Sequence, residues 1–469
     1  MINSLEQFSF LFNQDGGYLR IPIWGHIPLC LGARKIIEHP DFVRLAKIRQ
    51  LGLVHYVFPG ATHTRFEHSI GTYHLSVSML QRLVMNPSNW HDFSPGITPE
   101  EARIFLAASL LHDIGHYPYA HIVDRLTSED TGERFFDSHE NRAKSYILDD
   151  RSSGSIFSIL KETWKIDDPE CVADVIANPS DSGLPGRMLS GMLDPDKMDY
   201  LMRDAAACGV PYGNIDTDRL IESFVLDNFY ANKRLAITEK GIAPLESLVF
   251  AKYMMFRHIY WHHAARIAFA MLTRFVQDGL SCGMIEPDHF YSLSDDTLIE
   301  HLAQKSQDVS SGKLISDIRD RRLYKRGLIL HHGHTAGEDD FTLSGSELES
   351  VKELYRNPAL RRSKEIEICS LISQEDKIEL AGYEVLIDIP RIDSVFDLED
   401  FSGLRVLVTP QSGESQKYVS FNSHGFSQLT AEFAQEFERF SRRVLIVCRP
   451  DLKEAVIRYS KEIKSIVSA

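Results

Sequence analysis

The chain has 469 residues, 43% hydrophobic and 25% charged, close to an average globular composition. Its 51 Lys and Arg stand against 66 Asp and Glu, a formal charge of −15 with 20 His counted as neutral. No apolar run approaches the roughly 18 residues of a membrane span. Disordered, collagenous and membrane-spanning proteins are thereby excluded. The acidic balance argues against a general polyanion binder but leaves room for a local basic pocket.

The length favours more than one structural unit. Six cysteines, Cys30, Cys171, Cys208, Cys282, Cys369 and Cys448, stand singly with no CxxC pair. They suggest neither a zinc cage nor a disulfide framework, and a reducing compartment is the simplest reading. The opening MINSLEQFSFLFNQDGG lacks the basic start and continuous apolar core of a secretory signal, so a cytoplasmic location is expected.

In chain order, residues from Pro28 to about Phe275 read mostly as helices, with apolar positions at three and four spacing. HPDFVRLAKIRQLG predicts one helix with Phe42, Leu45 and Ile48 on a face and Gly52 as its stop. EEARIFLAASLLHDIGH predicts another, with Ile104, Ala108 and Leu111 facing inward and Gly115 ending it. VFAKYMMFRHIYWHHAARIAFAMLTRF is apolar almost all round, which predicts a central buried helix. Residues 331–346, HHGHTAGEDDFTLSGS, read as a linker or exposed loop. Beyond it the β-branched runs YEVLIDIP, GLRVLVT and RRVLIVC alternate with the helical stretches LTAEFAQEFERFSRR and PDLKEAVIRYSKEIKSIV. The expected fold is mainly α, a helical core over residues 1–330 followed by a smaller α+β unit over 340–469.

Four residues carry the chemistry: His68 in TRFEHS, the adjacent His112 and Asp113 in LLHDIGH, and Asp196 in LDPDKMDY. Imidazole and carboxylate together suit a borderline divalent ion such as Fe, Mn, Co, Ni or Zn, whereas an all-oxygen set would suit Mg or Ca. Neighbours on a helix point about 100° apart, so His112 and Asp113 reach one ion only near a helix end, which Gly115 is expected to supply. An ion held this way keeps open positions for water. A single His-Asp pair is commonplace, and its company gives it weight.

Around these residues the chain resembles the HD-domain phosphohydrolases, and within them the deoxynucleoside triphosphate triphosphohydrolases. The matching segments are IPIWGHIPL, IIEHPDFVRLAKIRQLG, YVFPGATHTRFEHSIG, LLHDIGHYPYAH, DPDKMDY and, more loosely, RRLYK, in order from about residue 21 to 326. The resemblance implies a helical HD core and casts His68, His112, Asp113 and Asp196 as metal ligands. It implies that His116, His121 and His139 surround the substrate phosphates, with His121 as the general acid and Asp124 supporting its protonation. Arg65 and Lys197 match phosphate-binding cations. Tyr200 and Asp204, at four spacing on one helix face, match a pair that meets the sugar 3′-hydroxyl. Gln50 and Leu51 match positions beneath the sugar, and Tyr260 an aromatic that closes its 2′ side, which would favour deoxyribose over ribose.

Vertebrate members of this group are switched on by guanine nucleotides bound between subunits through an Asp, Gln and Arg. This chain has Glu38, Val43 and Ala46 at those positions; a valine cannot hydrogen-bond a base edge and an alanine cannot stack or pair, so that activator site is expected to be absent or rebuilt. Trp261 replaces a glutamine near the base, and Lys252 replaces a phosphate-binding arginine, keeping the charge without the planar fork. The leading expectation is therefore metal-dependent hydrolysis of a deoxynucleoside triphosphate to deoxynucleoside and inorganic triphosphate, with Mg a candidate second ion accompanying the triphosphate. The alternatives are an HD hydrolase of another phosphate (a nucleoside monophosphate, a modified nucleotide or a nucleic-acid end) and a non-hydrolysing nucleotide sensor. The local positive run RDRRLYKR at 319–326 reads as a solvated face or subunit contact. A homo-oligomer is expected, with no membrane and no nucleic acid as main partner.

Overall fold

The computed structural model describes residues 5–89, 96–128, 131–227, 233–332, 341–392, 403–409, 417–422, 425–427 and 431–469. A short antiparallel hairpin, β1 (Tyr18–Ile21) and β2 (Gly25–Pro28), opens the described fold. Helix α1 (Arg65–Met85) then packs against α2 (Pro99–Leu111) and, from a later part of the chain, against α4 (Pro195–Cys208), while α3 (His139–Ile147) approaches the turn at Gly115 that follows α2. Ile70, Leu80, Phe105, Leu106 and Leu201 meet in the core between them. The ends of these helices are written in the sequence. Thr98 and Glu101 form a reciprocal capping box with Pro99 in the first turn of α2. Asp194 caps α4 by accepting from the Lys197 amide, Pro195 follows it, and Gly209 at φ 69° closes the helix in the left-handed conformation.

Two predicted helices are broken, each by a tertiary demand. HPDFVRLAKIRQLG forms a single α turn at Pro40–Val43 and a 3-10 turn at Arg44–Lys47, then goes extended at Ile48. Its backbone groups are spent elsewhere: the Gln50 amide donates to His63 O, the Arg65 amide donates to Ile48 O, and Arg49 bridges Thr64. The long apolar stretch becomes α5 (Ile242–Met255), a π-helical turn over Phe256–Tyr260, and α6 (His263–Ser281). His262 is extended and caps α6 by accepting from the Ala264 amide, which resets the helix. The buried character was nonetheless a sound signal, because Met271, Leu272, Phe275 and Val276 of α6 centre a second core shared with α7 (Asp295–Gln304).

The sheets are small, so the molecule is mainly α. A four-stranded sheet runs β3 (Phe224–Asp227), β4 (Arg234–Thr238), β7 (Arg405–Val408), β8 (Lys417–Ser420), with β4 and β7 parallel. A three-stranded antiparallel sheet runs β5 (Lys325–His331), β9 (Arg443–Cys448), β6 (Val385–Asp388). Thus strands before and after residue 340 share both sheets. The runs YEVLIDIP, GLRVLVT and RRVLIVC are β6, β7 and β9. Helices α8 (Gly345–Arg356), α9 (Pro358–Asp376), α11 (Lys453–Arg458) and α12 (Ser460–Ser468) build a third core on the second sheet, whereas Phe437 of α10 (Ala431–Ser441) joins the first. Most of the expected linker at 331–346 lies outside the described residues. No described helix is long and apolar enough to cross a membrane, and the six cysteines are free thiols.

Candidate metal centre

Three elements converge on one point. The first turn of α1 presents His68, the residue capping the C-terminal end of α2 is His112, and the first turn of α4 presents Asp196. His68 Nε2 lies 2.9 Å from Asp196 Oδ1 and 3.2 Å from His112 Nε2. His112 Nε2 is 3.7 Å from Asp196 Oδ1 and 3.6 Å from Asp113 Oδ1. The helix stops at Leu111, before the pair rather than at Gly115, so His112 and Asp113 lie where successive side chains can turn toward one point. Gly115 has a different task. A Cβ there would sit 1.9 Å from His139 O, so only glycine lets α3 dock on this turn. Arg44 braces the same turn, donating to the carbonyls of His116 at 2.6 Å and Ile114 at 2.5 Å.

Both ring nitrogens facing away from the centre are committed. His68 Nδ1 donates to Asp199 Oδ2 at 2.8 Å, and His112 Nδ1 donates to Ser109 O at 2.9 Å. Each tether leaves Nε2 with its lone pair toward the centre, as a metal ligand requires. Asp199 is itself fixed by a two-pronged bond from Arg203, 2.8 Å on each arm, and by the Trp24 indole N–H. This buried assembly presses on α1 so closely that a Cβ at Gly71 would meet Asp199 Oδ1 at 1.8 Å. Burial would lower the basicity of His68, but the bonded carboxylates of Asp196 and Asp199 raise its pKa to about 10. His112 is raised by Asp113 and Asp196 against the same opposition from burial. Burial works against ionisation of Asp113 and Asp196 too, yet Arg65 and His112 hold Asp113 low, and His112 and His68 hold Asp196 well below the carboxylate range. Two imidazoles that want protons between two firmly ionised carboxylates define a pocket of negative potential. The donor set and that potential fit a borderline divalent ion.

A second histidine cluster adjoins the first with the opposite character. His116 Nε2 and His121 Nε2 are 3.3 Å apart, and the His116 and His139 rings are 3.8 Å between centroids. His116 Nδ1 lies 3.0 Å from Asp113 Oδ1, so Asp113 stands between the clusters. Desolvation, then the charges of Arg65 and His139, push both His116 and His121 well below the ordinary imidazole pKa. His139 is lowered as well, by burial against the pull of the adjoining Glu140. The three ring nitrogens are close enough to hold an ion. Burial is the largest cause of that depression, and the Arg65 guanidinium adds positive charge beside the rings, which suits an anion. Arg65 links the two clusters: its Nη1 donates to Asp113 Oδ2 at 2.8 Å, while its Nε is buried with no partner. Its partner is thus Asp113 and not the neighbouring Glu67.

Farther along α4, Asp204 accepts from the Tyr260 hydroxyl at 2.7 Å and lies 2.7 Å from His63 Nε2. Tyr200 packs edge-on against Tyr260. The π-helical turn places Tyr260 here, at the point where the expected long helix breaks. Gln50 and Leu51 lie in the extended segment bonded to His63, and Gln50 Oε1 is buried without a partner. Lys197 Nζ donates to Asp194 at 2.6 Å and to Gly191 O at 2.8 Å. Asp124 makes no ion pair with His121; its nearest cation is Arg125, at 3.9 Å, and burial raises its pKa to about 6. Lys252 is half-buried on α5, with Trp261 half-buried at the break before α6. The run RDRRLYKR is not simply a solvated face. Arg321, Lys325 and Arg326 line a cavity of about 440 Å³ with Tyr56, Val57 and Lys453, which shares no residue with the clusters above.

Sequence reasoning did not single out Asp199, Arg203, Trp24, His63 or Arg44. Asp199 had a readable signal, three residues after Asp196 on the same helix, and His63 sits inside the motif that ends at His68. Trp24 and Arg44 lie in the matching segments IPIWGHIPL and IIEHPDFVRLAKIRQLG, but nothing local shows which distant groups they reach.

This arrangement resembles that of the HD-domain phosphohydrolases, and the comparisons with known proteins point the same way. A family model described as an HD associated region matches residues 215–399. Among curated relatives, the uncharacterized protein YwfO of Bacillus subtilis is 30% identical over 269 residues, covering 56% of this chain and 57% of that protein. The deoxynucleoside triphosphate triphosphohydrolase SAMHD1 homolog of Dictyostelium discoideum is 28% identical over 320 residues, covering 65% and 58%. The chain thus spans a little over half the length of these relatives. A crystal structure of a phosphohydrolase from Bacteroides thetaiotaomicron shares the fold at a TM-score of 0.62 and 22% identity, covering 92% of this chain and 99% of that one. A hypothetical protein from Aquifex aeolicus does so at 0.63 and 23%, covering 95% and 99%.

Proposed function

We propose that this protein hydrolyses deoxynucleoside triphosphates at the α-phosphate, releasing deoxynucleoside and inorganic triphosphate. The observation that carries the reading is the juxtaposition of a negative cluster built for a cation and a positive cluster built for an anion, joined through Arg65 and Asp113. His68, His112, Asp113 and Asp196 would hold one divalent ion of the Fe, Mn, Co, Ni or Zn group, whose chemistry when bound is to acidify water and polarise a phosphoryl oxygen. Arg65, His116, His139 and Lys197 would neutralise phosphate charge, and Lys252 would extend that grip. His121 would deliver a proton to O5′ as the ester bond breaks. Free of substrate it is held neutral, and an arriving triphosphate would raise its pKa and load it. Asp204, oriented by His63 and Tyr260, would accept from the sugar 3′-hydroxyl beside Tyr200. Gln50 would lie beneath the sugar, and Leu51 and the Tyr260 ring would leave a 2′-hydroxyl without room or partner. The printed names of the SAMHD1-type relatives support the triphosphohydrolase reading; Mg accompanying the triphosphate, a homo-oligomer and a cytoplasmic setting are proposed with it.

The test is a panel of deoxy- and ribonucleotides with each metal, read by product. Release of intact triphosphate from deoxynucleotides in preference to ribonucleotides is expected. Orthophosphate as the first product, or shortened oligonucleotides, would sink the proposal in favour of another phosphate ester.

A further inference from the structure

The segment that carries Gln50 and Leu51 lies between two 3-10 turns, Arg44–Lys47 and Gly52–Tyr56, with an isolated β-bridge from Arg49 to Thr64. Its anchor is the start of α7, a helix of the second core. Asp295, only 1% exposed, accepts the Arg49 amide at 3.0 Å through Oδ2, and the neighbouring Asp296 pairs with the Arg49 guanidinium at 2.9 Å. From the other side the Tyr119 hydroxyl donates to the Asp295 backbone carbonyl at 3.3 Å. Tyr119 is left-handed, at φ 59°, an uncommon conformation for a bulky residue, and it immediately precedes the turn bearing His121. Its ring closes on Gly52, itself at φ 51°, where a Cβ would stand 3.2 Å from Tyr119 Cδ1. The extended segment is also bonded to His63 and to the first residue of α1, Arg65.

We propose that Asp295 is a positioning residue that holds the Arg49–Leu51 segment and the Tyr119 turn against each other, and so sets the distance between the sugar floor and His121. It touches no substrate atom, and its kinetic consequence rests on the function proposed above. The groups facing its carboxylate are Arg49, Asp296, Tyr119 and, at longer range, Arg65. Burial raises its pKa to about 6, and its Oδ1 is buried without a partner, so a neutral side chain of the same shape fits the site. Asparagine supplies one: its carbonyl oxygen can still accept the Arg49 amide.

The experiment compares Asp295→Ala with Asp295→Asn in the full chain by amide hydrogen exchange and by kinetics. Removing the side-chain acceptor should speed exchange at residues 49–51 by about tenfold and, through the Gly52–Tyr119 contact, at 119–122 by a smaller factor, since alanine keeps the backbone carbonyl that Tyr119 bonds, while α1 keeps its protection. Asp295→Asn should restore both segments to within about threefold. On a deoxynucleoside triphosphate, Asp295→Ala should raise KM by about tenfold with a smaller change in kcat, and on a small activated aryl phosphodiester it should change little. Uniform loosening of the chain, unchanged exchange at the two segments, or an asparagine variant as impaired as the alanine one overturns the proposal. A wild type that cleaves the aryl ester but no deoxynucleotide would sink the substrate reading instead, and the exchange comparison would still decide the role of Asp295.

Discussion

The two histidine clusters lie side by side, share Asp113 as a wall, and are built from the same side chain, yet they behave oppositely. In the first, His68 and His112 each surrender Nδ1 to a fixed acceptor and face carboxylates, so their proton affinity is raised. In the second, His139 Nδ1 has no hydrogen-bond partner, His116 Nδ1 lies 3.0 Å from Asp113 Oδ1 without hydrogen-bond geometry, and burial, with Arg65 near, lowers proton affinity. What a histidine does here is decided by what holds its far nitrogen and by the charge around it. A tethered ring among carboxylates is prepared for a cation, and an untethered ring beside a guanidinium is prepared for an anion.

The hardest blow to that contrast is His112→Ala. It should abolish tight metal binding and lower turnover by at least about a thousandfold, whereas His121→Ala should keep the metal and lose about a hundredfold or more in kcat. Metal content by elemental analysis alongside kcat separates them. If both variants lose metal equally, the clusters are one site and the contrast is gone.

Asp199→Asn tests the tether itself. The amide oxygen can still accept from His68 Nδ1, but it no longer balances the buried Arg203. Metal affinity should fall about 10- to 100-fold. Leaving the guanidinium unpaired should also cost about 3 kcal/mol of stability. Competition with a chelating dye and a denaturant titration measure the two effects, and unchanged metal affinity would show that the tether does not tune the centre.

Tyr260→Phe probes the sugar side, where the sharing is between Asp204 and its two partners. Losing one hydrogen bond to a carboxylate should raise KM for deoxynucleotides about tenfold with kcat nearly kept. A fall in kcat alone would put Tyr260 in the chemical step instead.

The sequence made much of this site legible because the four ligand-type residues sit in short, ordered motifs, and the structure brings His68, His112, Asp113 and Asp196 together. It was weaker where a residue's partner is far away in the chain. Nothing local in HPDFVRLAKIRQLG says that Arg49 will be captured by Asp295 and Asp296, so helical periodicity misreads the part from Ile48 onward, where the Ile48 carbonyl and the Arg49 and Gln50 amides bond to distant residues. The break at Trp261–His262 was hidden for a related reason. Apolar residues continue across it, and only the capping histidine and the π-helical turn mark the change of axis. The C-terminal strands were readable from β-branched runs, but that β7 would pair in parallel with β4 was not, because register between strands more than 160 residues apart has no local signature.

The mildest test asks whether the second cluster has a carboxylate tether of its own. The resemblance assigns that part to Asp124, yet the side chain makes no ion pair with His121, and burial has raised its pKa to about 6 against about 3.9 for an unfolded aspartate. Between those values the folded chain binds the proton that the unfolded chain has released. The Asp124 contribution is therefore fully present below about pH 4 and is lost as pH rises through 6. Asp124→Asn should abolish that part of the decline, so that between pH 4.5 and 7.5 the variant loses less thermal stability than the wild type by a few degrees. Because Asp124 does not grip His121, the same substitution should leave the pH profile of turnover within about 0.3 units of the wild type. A shift of a full unit would give His121 a carboxylate partner in the working enzyme, and the two clusters would then differ only in charge and not in how their rings are held.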